Sequence, residues 1–460
     1  MAEVIVVGGG VGGMVAALLL SRAGHRVRLH EQLDRLGGKL AERGRDGFAF
    51  SLGPSLLTLP EVFHELGVAR EAVALDELCR YRFADGSVLR AYRDPDRMAA
   101  EVERFAPGQG AAWEAFYAWA RKCFEASQRT FFAGPVGRRP PDGNPADLLA
   151  VAPGRTLHGL ARRFFDDRRL RQYVGRYATY AGSSPYRAPA ALGCVPAIEH
   201  GAGGWYVPGG LPRLAEDLAG LLDDAGVEVR TGSTVARVLS DGESVTGVVL
   251  ASGEREAADA VLVNADAAEL YGRLLPDRRR LRRIAGLGTS SSAFLMLAGV
   301  DGRTDGLPHH SVVFSGDYRR EFADIFQRRV PPEDPTVYIG CSAVDDPSQA
   351  RPGRRTGRCW STSRRATRSG GRWRRRRTGI WSWSGWRAAG TTCRDGCGSW
   401  SCSRPRTCGT GTGPGAERSM ARRTGGGWRR CAVRATAGRA AACTWWAGRC
   451  IPGAGSRWWR

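Results

Sequence analysis

Near the start of the chain, Gly8-Gly9-Gly10-Val11-Gly12-Gly13 offers almost no side chain, and that absence is its chemistry. Glycine at 8, 10 and 13 gives a G-x-G-x-x-G spacing. The first permits a tight turn, the second lets the backbone approach a pyrophosphate, and the third lets the following helix pack closely on a sheet. The helix N-terminus would then present N–H groups and a positive dipole end to the phosphates. Glu31 stands where an acid would accept the hydroxyls of a ribose. Together these residues read as a dinucleotide site; without a ligand they would be a glycine-rich turn and a solvated acid at a strand end.

The elements that must hold these residues are legible on either side. A β-branched strand, Val4 to Val7, precedes the glycines. An apolar helix from Met14 to Ala23 follows and stops at Gly24, and a second strand runs from Val27 to Glu31. That is a complete βαβ unit. A second glycine pair follows in Arg35-Leu36-Gly37-Gly38-Lys39, where it and an Arg beside the first phosphate site suit a long cofactor stretched across the domain. The Glu-x3-Arg-x-Gly-Gly spacing resembles the FAD signature of the two-dinucleotide-binding flavoproteins, a signature that NAD enzymes lack. Arg35 taken alone could equally be a solvated surface charge.

Further along, Leu211, Leu214, Leu218, Leu221 and Leu222 recur at helical spacing up to Gly226. Strands are expected at Val227–Val229, Val245–Leu250 and Ala260–Val263, with turns at Asp241-Gly242 and Ser252-Gly253. This order resembles the return of the chain to the FAD domain in the same flavoproteins. The resemblance implies that Val235 meets the adenine through its backbone, and the alternative is an ordinary core valine.

Charge divides the chain. Over 460 residues the formal charge is +22, but residues 351–460 hold 26 Arg against only Asp395 and Glu417, so residues 1–350 sum to −2. A whole-chain reading as a nucleic-acid binder therefore rests on the last 110 residues alone. These also hold 11 of the 14 Trp and 8 of the 12 Cys, with no Leu, Phe or Tyr, and show no apolar period. Regrouping the codons implied by Ala442 to Arg460, by one base, is able to yield a strand, a glycine-rich turn and a helix start, and the same shift fits the junction at Gln349 to Gly353. Residues 351–460 are accordingly expected to be a GC-rich region read out of frame, or else a disordered basic tail, without stable structure. Cys79, Cys123, Cys194 and Cys341 lack ligand spacing, so no metal site is expected and a reducing cytoplasm is the natural compartment. No basic leader precedes Val4, and no apolar run reaches membrane-spanning length.

Residues 95–200 read as helical, with aromatic and Arg residues interleaved from Phe164 to Tyr180. Amphipathic helices facing a core, or a surface dipping into a bilayer, would both show this pattern. Several stretches are similar to bacterial-type phytoene desaturases: Gly53 to Pro60, Tyr177 to Pro189, Glu199-His200, Gly204 to Gly210, His309 to Ser311, Asp317 to Phe322 and Pro331 to Tyr338. Ser51 departs from the family, which more often has an acid there. The resemblance implies an α/β fold: a discontinuous Rossmann-like FAD domain (1–95 and 201–270) and a second α+β domain (96–200 and 271–350) facing the substrate and the membrane. Strands at Ser291–Gly299, Ser311–Phe314 and Thr336–Ile339 would form the second sheet. The implied activity is FAD-dependent desaturation of phytoene or a related apolar polyene, by an enzyme lying peripherally on the cytoplasmic face of the membrane and binding no nucleic acid. Cofactor contacts are expected at Gly8, Gly10, Gly13, Glu31, Arg35, Gly37, Gly38 and Val235. His200, His309 and His310 are more often structural than catalytic in such settings, and no catalytic base is assigned. Another carotenoid desaturase, isomerase or ketolase would share these motifs, and a flavin amine oxidase would share the glycine signatures.

Overall fold

The computed structural model of the protein describes residues 1–129, 145–301, 306–350 and 354–363. The βαβ unit is present as β1 (Glu3–Val7), α1 (Val11–Arg22) and β2 (Arg26–His30). β1 is apolar because it is buried on both faces. Val4 and Val6 pack with Met14, Leu18 and Leu218, while Ile5 and Val7 pack with Val238, Val248 and Leu274. Full burial of side chains such as Ile5 and Leu18 contributes roughly 1.5–3 kcal/mol each.

Strand Ala260–Val263 lies on one side of β1 and β2 on the other, with Glu228–Arg230 beyond β2; all three pairings are parallel. α1 and helix Pro212–Asp224 contribute to the core on one face, and the antiparallel strands Val235–Ser240 and Val245–Leu250 to the core on the other. The order expected for residues 211–263 is thus observed.

The second body is a six-stranded mixed sheet in the order Ser292–Asp301, Arg354–Ser363, Val337–Gly340, His310–Val313, Glu77–Arg82, Val88–Tyr92. Helices Pro95–Phe105, Gly110–Ser127, Leu157–Phe164 and Arg168–Gly175 join it in one core with Trp113, Phe116, Phe165, Tyr173 and Tyr177. Three of them start at side-chain caps, Asp94, Thr156 and Asp167, which accept N–H bonds from the first turn.

Two expectations are corrected. The boundary near residue 95 moves toward the N-terminus, because Glu77–Arg82 pairs with His310–Val313 and carries Val88–Tyr92 with it into the second sheet. Alternation marks a strand but not the sheet it joins. Structure also continues past residue 350, because Arg354–Ser363 pairs along its whole length with Ser292–Asp301 and on its other edge with Val337–Gly340. Backbone N–H and C=O groups make that ladder, so a segment without apolar period can fill the gap between two strands. The rest of the segment expected to lack structure, 351–353 and 364–460, lies outside the described residues.

Candidate functional site

The glycines do what their spacing requires. Gly8 turns the chain with a φ of 103°, its N–H bonding to the His30 carbonyl at 2.8 Å. A Cβ on Gly13 would lie 2.0 Å from the Gly8 carbonyl oxygen, so only glycine lets α1 sit this close to the turn. Gly10 caps α1 with ordinary extended backbone and no side-chain bond, leaving the first-turn N–H groups without a side-chain acceptor.

The second glycine pair closes on the first. Gly37 N–H bonds to the Gly9 carbonyl at 2.8 Å, Gly10 and Gly37 form a parallel bridge, and a Cβ on Gly38 would come 2.9 Å from Gly10 Cα. Two runs of bare backbone that are distant in sequence therefore lie in contact. Backbones also pack closely further along: a Cβ on Gly53 would fall 1.8 Å from the Lys39 carbonyl, and a Cβ on Gly210 would meet Ser51 Oγ at 3.0 Å and Gln349 Oε1 at 3.7 Å. Gln349 Oε1 is buried without a hydrogen-bond partner.

Glu31 is buried, and its carboxylate braces the loop: Oε2 accepts from Gly9 N–H at 2.7 Å and Oε1 from Leu33 N–H at 2.9 Å. Ser233 N–H bonds to the Glu31 carbonyl at 2.8 Å, and Val235 follows two residues after Ser233. Val235 opens its strand with its side chain in the core, and its carbonyl accepts from Arg273 Nη1 at 3.0 Å. Arg35 is exposed and pairs with Asp34 at 3.5 Å.

Asn264 was not singled out by its sequence position. It ends the strand beside β1, its N–H bonds to the Val7 carbonyl at 2.8 Å, and its Nδ2 reaches the carbonyls of Gly8 at 3.3 Å and Gly10 at 3.5 Å. An amide at the end of a strand-like run was the available signal. Another such residue is Glu256, buried and shared by Arg28 at 2.7 Å, Arg230 at 2.8 Å and His30 Nε2 at 3.3 Å. Burial is the main cause that holds the His30 imidazole below its ordinary pKa.

The candidate histidines divide into two clusters. His309 Nδ1 meets Asp345 at 2.7 Å, His310 Nδ1 meets Tyr338 Oη at 2.7 Å, and Tyr338 Oη meets Ser55 Oγ at 2.6 Å. Tyr206 Oη and Gly209 N–H both donate to Asp346 at 2.7 Å. Four of the sequence stretches quoted above thus converge at these contacts, with the Tyr206 ring on His309 and the His309 ring on His310. His200 lies elsewhere, with Nδ1 on the Tyr92 carbonyl at 2.6 Å and Nε2 on Tyr173 Oη at 2.9 Å. Both nitrogens are engaged, and burial pushes its pKa down to about 4. Its neighbour Glu199 accepts from Tyr177 and Tyr180; burial raises its pKa against the opposing pull of Tyr180, Arg176 and Tyr177. Among the described residues no cluster of His, Cys, Asp or Glu is arranged to hold a metal.

Residues 11–298 match the profile of the flavin-containing amine oxidoreductases. The chain belongs to that family. A zeta-carotene-forming phytoene desaturase from Myxococcus xanthus is 36% identical over 368 residues, spanning 76% of this chain and 70% of the relative. A 4,4'-diapolycopene oxygenase from Methylomonas is 31% identical over 373 residues, spanning 76% and 73%. The fold is shared with an oxidoreductase from Methanosarcina mazei, at a TM-score of 0.56 and 17% identity over 78% of each chain. As a flavin-containing amine oxidoreductase, the protein carries a flavin. The bare backbone that Gly8 to Gly13 form with Gly37 and Gly38, and the buried, unpartnered Gln349 oxygen, fit such a cofactor.

Proposed function

We propose that the protein is an FAD-dependent desaturase of phytoene or a closely related apolar polyene in carotenoid biosynthesis. The observation that carries this reading is the closure of the second glycine pair on the first, Gly37 on Gly9 and Gly10 and Gly38 against Gly10, which brings two runs of bare backbone together beside the N-terminus of α1 and suits a dinucleotide. The similarity to a phytoene desaturase supports the substrate class. In this reading the α1 N-terminus and the Gly8 to Gly13 amides hold the pyrophosphate, and Gly37 and Gly38 let the backbone approach it. Glu31, which already orders the loop through Gly9 and Leu33, is placed to accept from the ribose.

FAD supplies the acceptor for the hydride removed from the hydrocarbon. The remaining work is alignment of a chain that has no charge to grip, which requires apolar walls and exclusion of water. The cluster of Ser55, Tyr338, His310, His309 and Tyr206 fixes the junction at which the ring end of the cofactor would lie. An apolar substrate dissolved in a bilayer suits an enzyme that works from the cytoplasmic membrane surface. No helix among the described residues is long and apolar enough to cross a membrane.

The test is expression in a phytoene-accumulating host, with chromatography and absorption spectra of the extracted pigments. Extended conjugation supports desaturation, and unchanged phytoene counts against it. The likeness to an oxygenase supports a second reading, which predicts oxygenated end groups on an already conjugated polyene.

A further inference from the structure

Strand Arg255–Ala257 is the edge of the three-stranded antiparallel sheet, and no sequence motif ties it to the glycine loops. Its Glu256 is nonetheless 5% exposed and aimed at β2. Oε2 meets Arg28 Nη1 at 2.7 Å and His30 Nε2 at 3.3 Å, and Oε1 accepts from Arg230 Nη1 at 2.8 Å. Glu3, Glu228 and Glu254 pair with these two arginines and not with the imidazole.

His30 is the last residue of β2 and is 1% exposed. A carboxylate only accepts, so the Nε2 that faces Glu256 carries the proton, and Nδ1 accepts from Ser233 Oγ–H at 2.8 Å. Burial, first, and then Arg230 and Arg28 hold the ring in this neutral form against the pull of Glu256. The bonds run in one direction, from Ser233 through the imidazole to Glu256, and both ring nitrogens are used.

The backbone around this ring is the backbone of the candidate site. The His30 carbonyl accepts from Gly8 N–H at 2.8 Å, which sets the first glycine turn. The next residue, Glu31, orders Gly9 and Leu33 through its carboxylate. Residues 230–233 are laid along residues 31–33: Glu31 N–H bonds to the Arg230 carbonyl at 2.9 Å, Ser233 N–H to the Glu31 carbonyl at 2.8 Å, and Gly232 N–H to the Leu33 carbonyl at 2.7 Å. Beyond the ends of β2 and Glu228–Arg230 no strand ladder fixes these two loops. The imidazole joins them from below and ties both to a third strand. A site that recognises a ligand by hydrogen bonds must be held to within about 0.5 Å, and residues behind it do that work.

We propose that His30, with Ser233 and Glu256, is a positioning residue of the dinucleotide site: it locks residues 230–235 to the Glu31 turn, so that the ribose acceptor, the Gly8 turn and the Val235 backbone form one surface for the adenosine half of the cofactor. The inference rests on the reading of Glu31 as the ribose acceptor.

The test compares the flavin-free full chain with Ser233→Ala, Ser233→Thr and His30→Phe. Each is titrated with FAD and with ADP, which carries the adenosine and pyrophosphate and no flavin ring, and each is unfolded in urea. Ser233→Ala removes one half-buried oxygen, so its urea midpoint should stay close to that of the unsubstituted chain while FAD and ADP both weaken about three- to tenfold. Ser233→Thr keeps the hydroxyl and should restore both affinities. His30→Phe keeps the ring and loses both bonds, and should weaken both ligands at least about tenfold; Ser233→Ala carries the test if His30→Phe does not fold. Affinities for ADP that are equal in all four chains overturn the proposal, whatever happens to the urea midpoints, and so does a loss in Ser233→Ala that Ser233→Thr shares. An unsubstituted chain that binds neither FAD nor ADP overturns the dinucleotide site itself, and the brace with it.

Discussion

Gly10 and Gly13 lie in one loop, yet their substitution by alanine should fail in different ways. Gly10 has φ −70° and ψ 166°, which any residue adopts, and its added Cβ would meet only the Asn264 amide, at 3.2 Å. Gly10→Ala should therefore change the unfolding free energy of the flavin-free protein by no more than about 1 kcal/mol. The methyl group would, however, occupy the space through which a phosphate must approach the first-turn amides. Displacing one charge-assisted hydrogen bond costs about 1.5–3 kcal/mol, a loss in flavin affinity of roughly tenfold to a hundredfold. Gly13→Ala is a packing fault, since its Cβ would sit 2.0 Å from the Gly8 oxygen, below the 3.0 Å that real contacts respect. α1 must retreat by about 1 Å, at a typical overpacking cost of 1–3 kcal/mol. Urea unfolding of the flavin-free chains and quenching of flavin fluorescence on titration separate the two cases. Gly10→Ala should be stable and flavin-poor, Gly13→Ala unstable and flavin-poor, and Gly10→Val, which fills more of the same space, flavin-free. Wild-type flavin affinity in Gly10→Ala would show that the phosphate does not lie at this loop.

Glu31→Lys removes the acceptor for Gly9 and Leu33 N–H, so it should lower stability by about 2 kcal/mol and weaken FAD at least tenfold; unchanged urea midpoint and affinity would reduce Glu31 to a strand-end charge. His200 has a folded pKa of about 4 against 6.5 for the free side chain, so as pH falls the unfolded chain takes up the proton first. Its contribution is intact above about pH 6.5 and falls by up to about 3 kcal/mol on the way to pH 4; His200→Gln should flatten that slope, and an unchanged slope in urea titrations at several pH values would refute the assignment. Restoring the frame implied by the regrouped codons beyond position 350 should raise soluble yield, bound flavin and polyene conversion together. Equal behaviour of the two chains would identify residues 351–460 as a genuine basic tail.

The βαβ unit, the turn at Gly8, the close packing at Gly13, and the strands at 245–250 and 260–263 were readable because they depend on local rules. A turn, a close backbone approach and an alternation of faces are set within a few residues, and the side chains that satisfy them occur at fixed spacing. Which distant segments meet is a different matter, decided by where the chain returns. Gly37 and Gly38 were legible as a second glycine pair, but that Gly37 pairs with Gly9 and Gly10, and that Gly53 presses on Lys39, depends on where the chain returns. The placement of Glu77–Tyr92 and Arg354–Ser363 followed the same logic, since an unpaired strand edge selects its partner by backbone hydrogen bonds that no side-chain pattern announces. The fates of Glu199 and His200 were likewise undecidable from spacing. Whether a buried acid and imidazole are available for chemistry depends on their hydrogen-bond partners, and the tyrosines that occupy Glu199 and one His200 nitrogen lie 19 to 27 residues away. Composition determined which residues seek burial, and tertiary structure decided which of their polar atoms were left to meet a ligand.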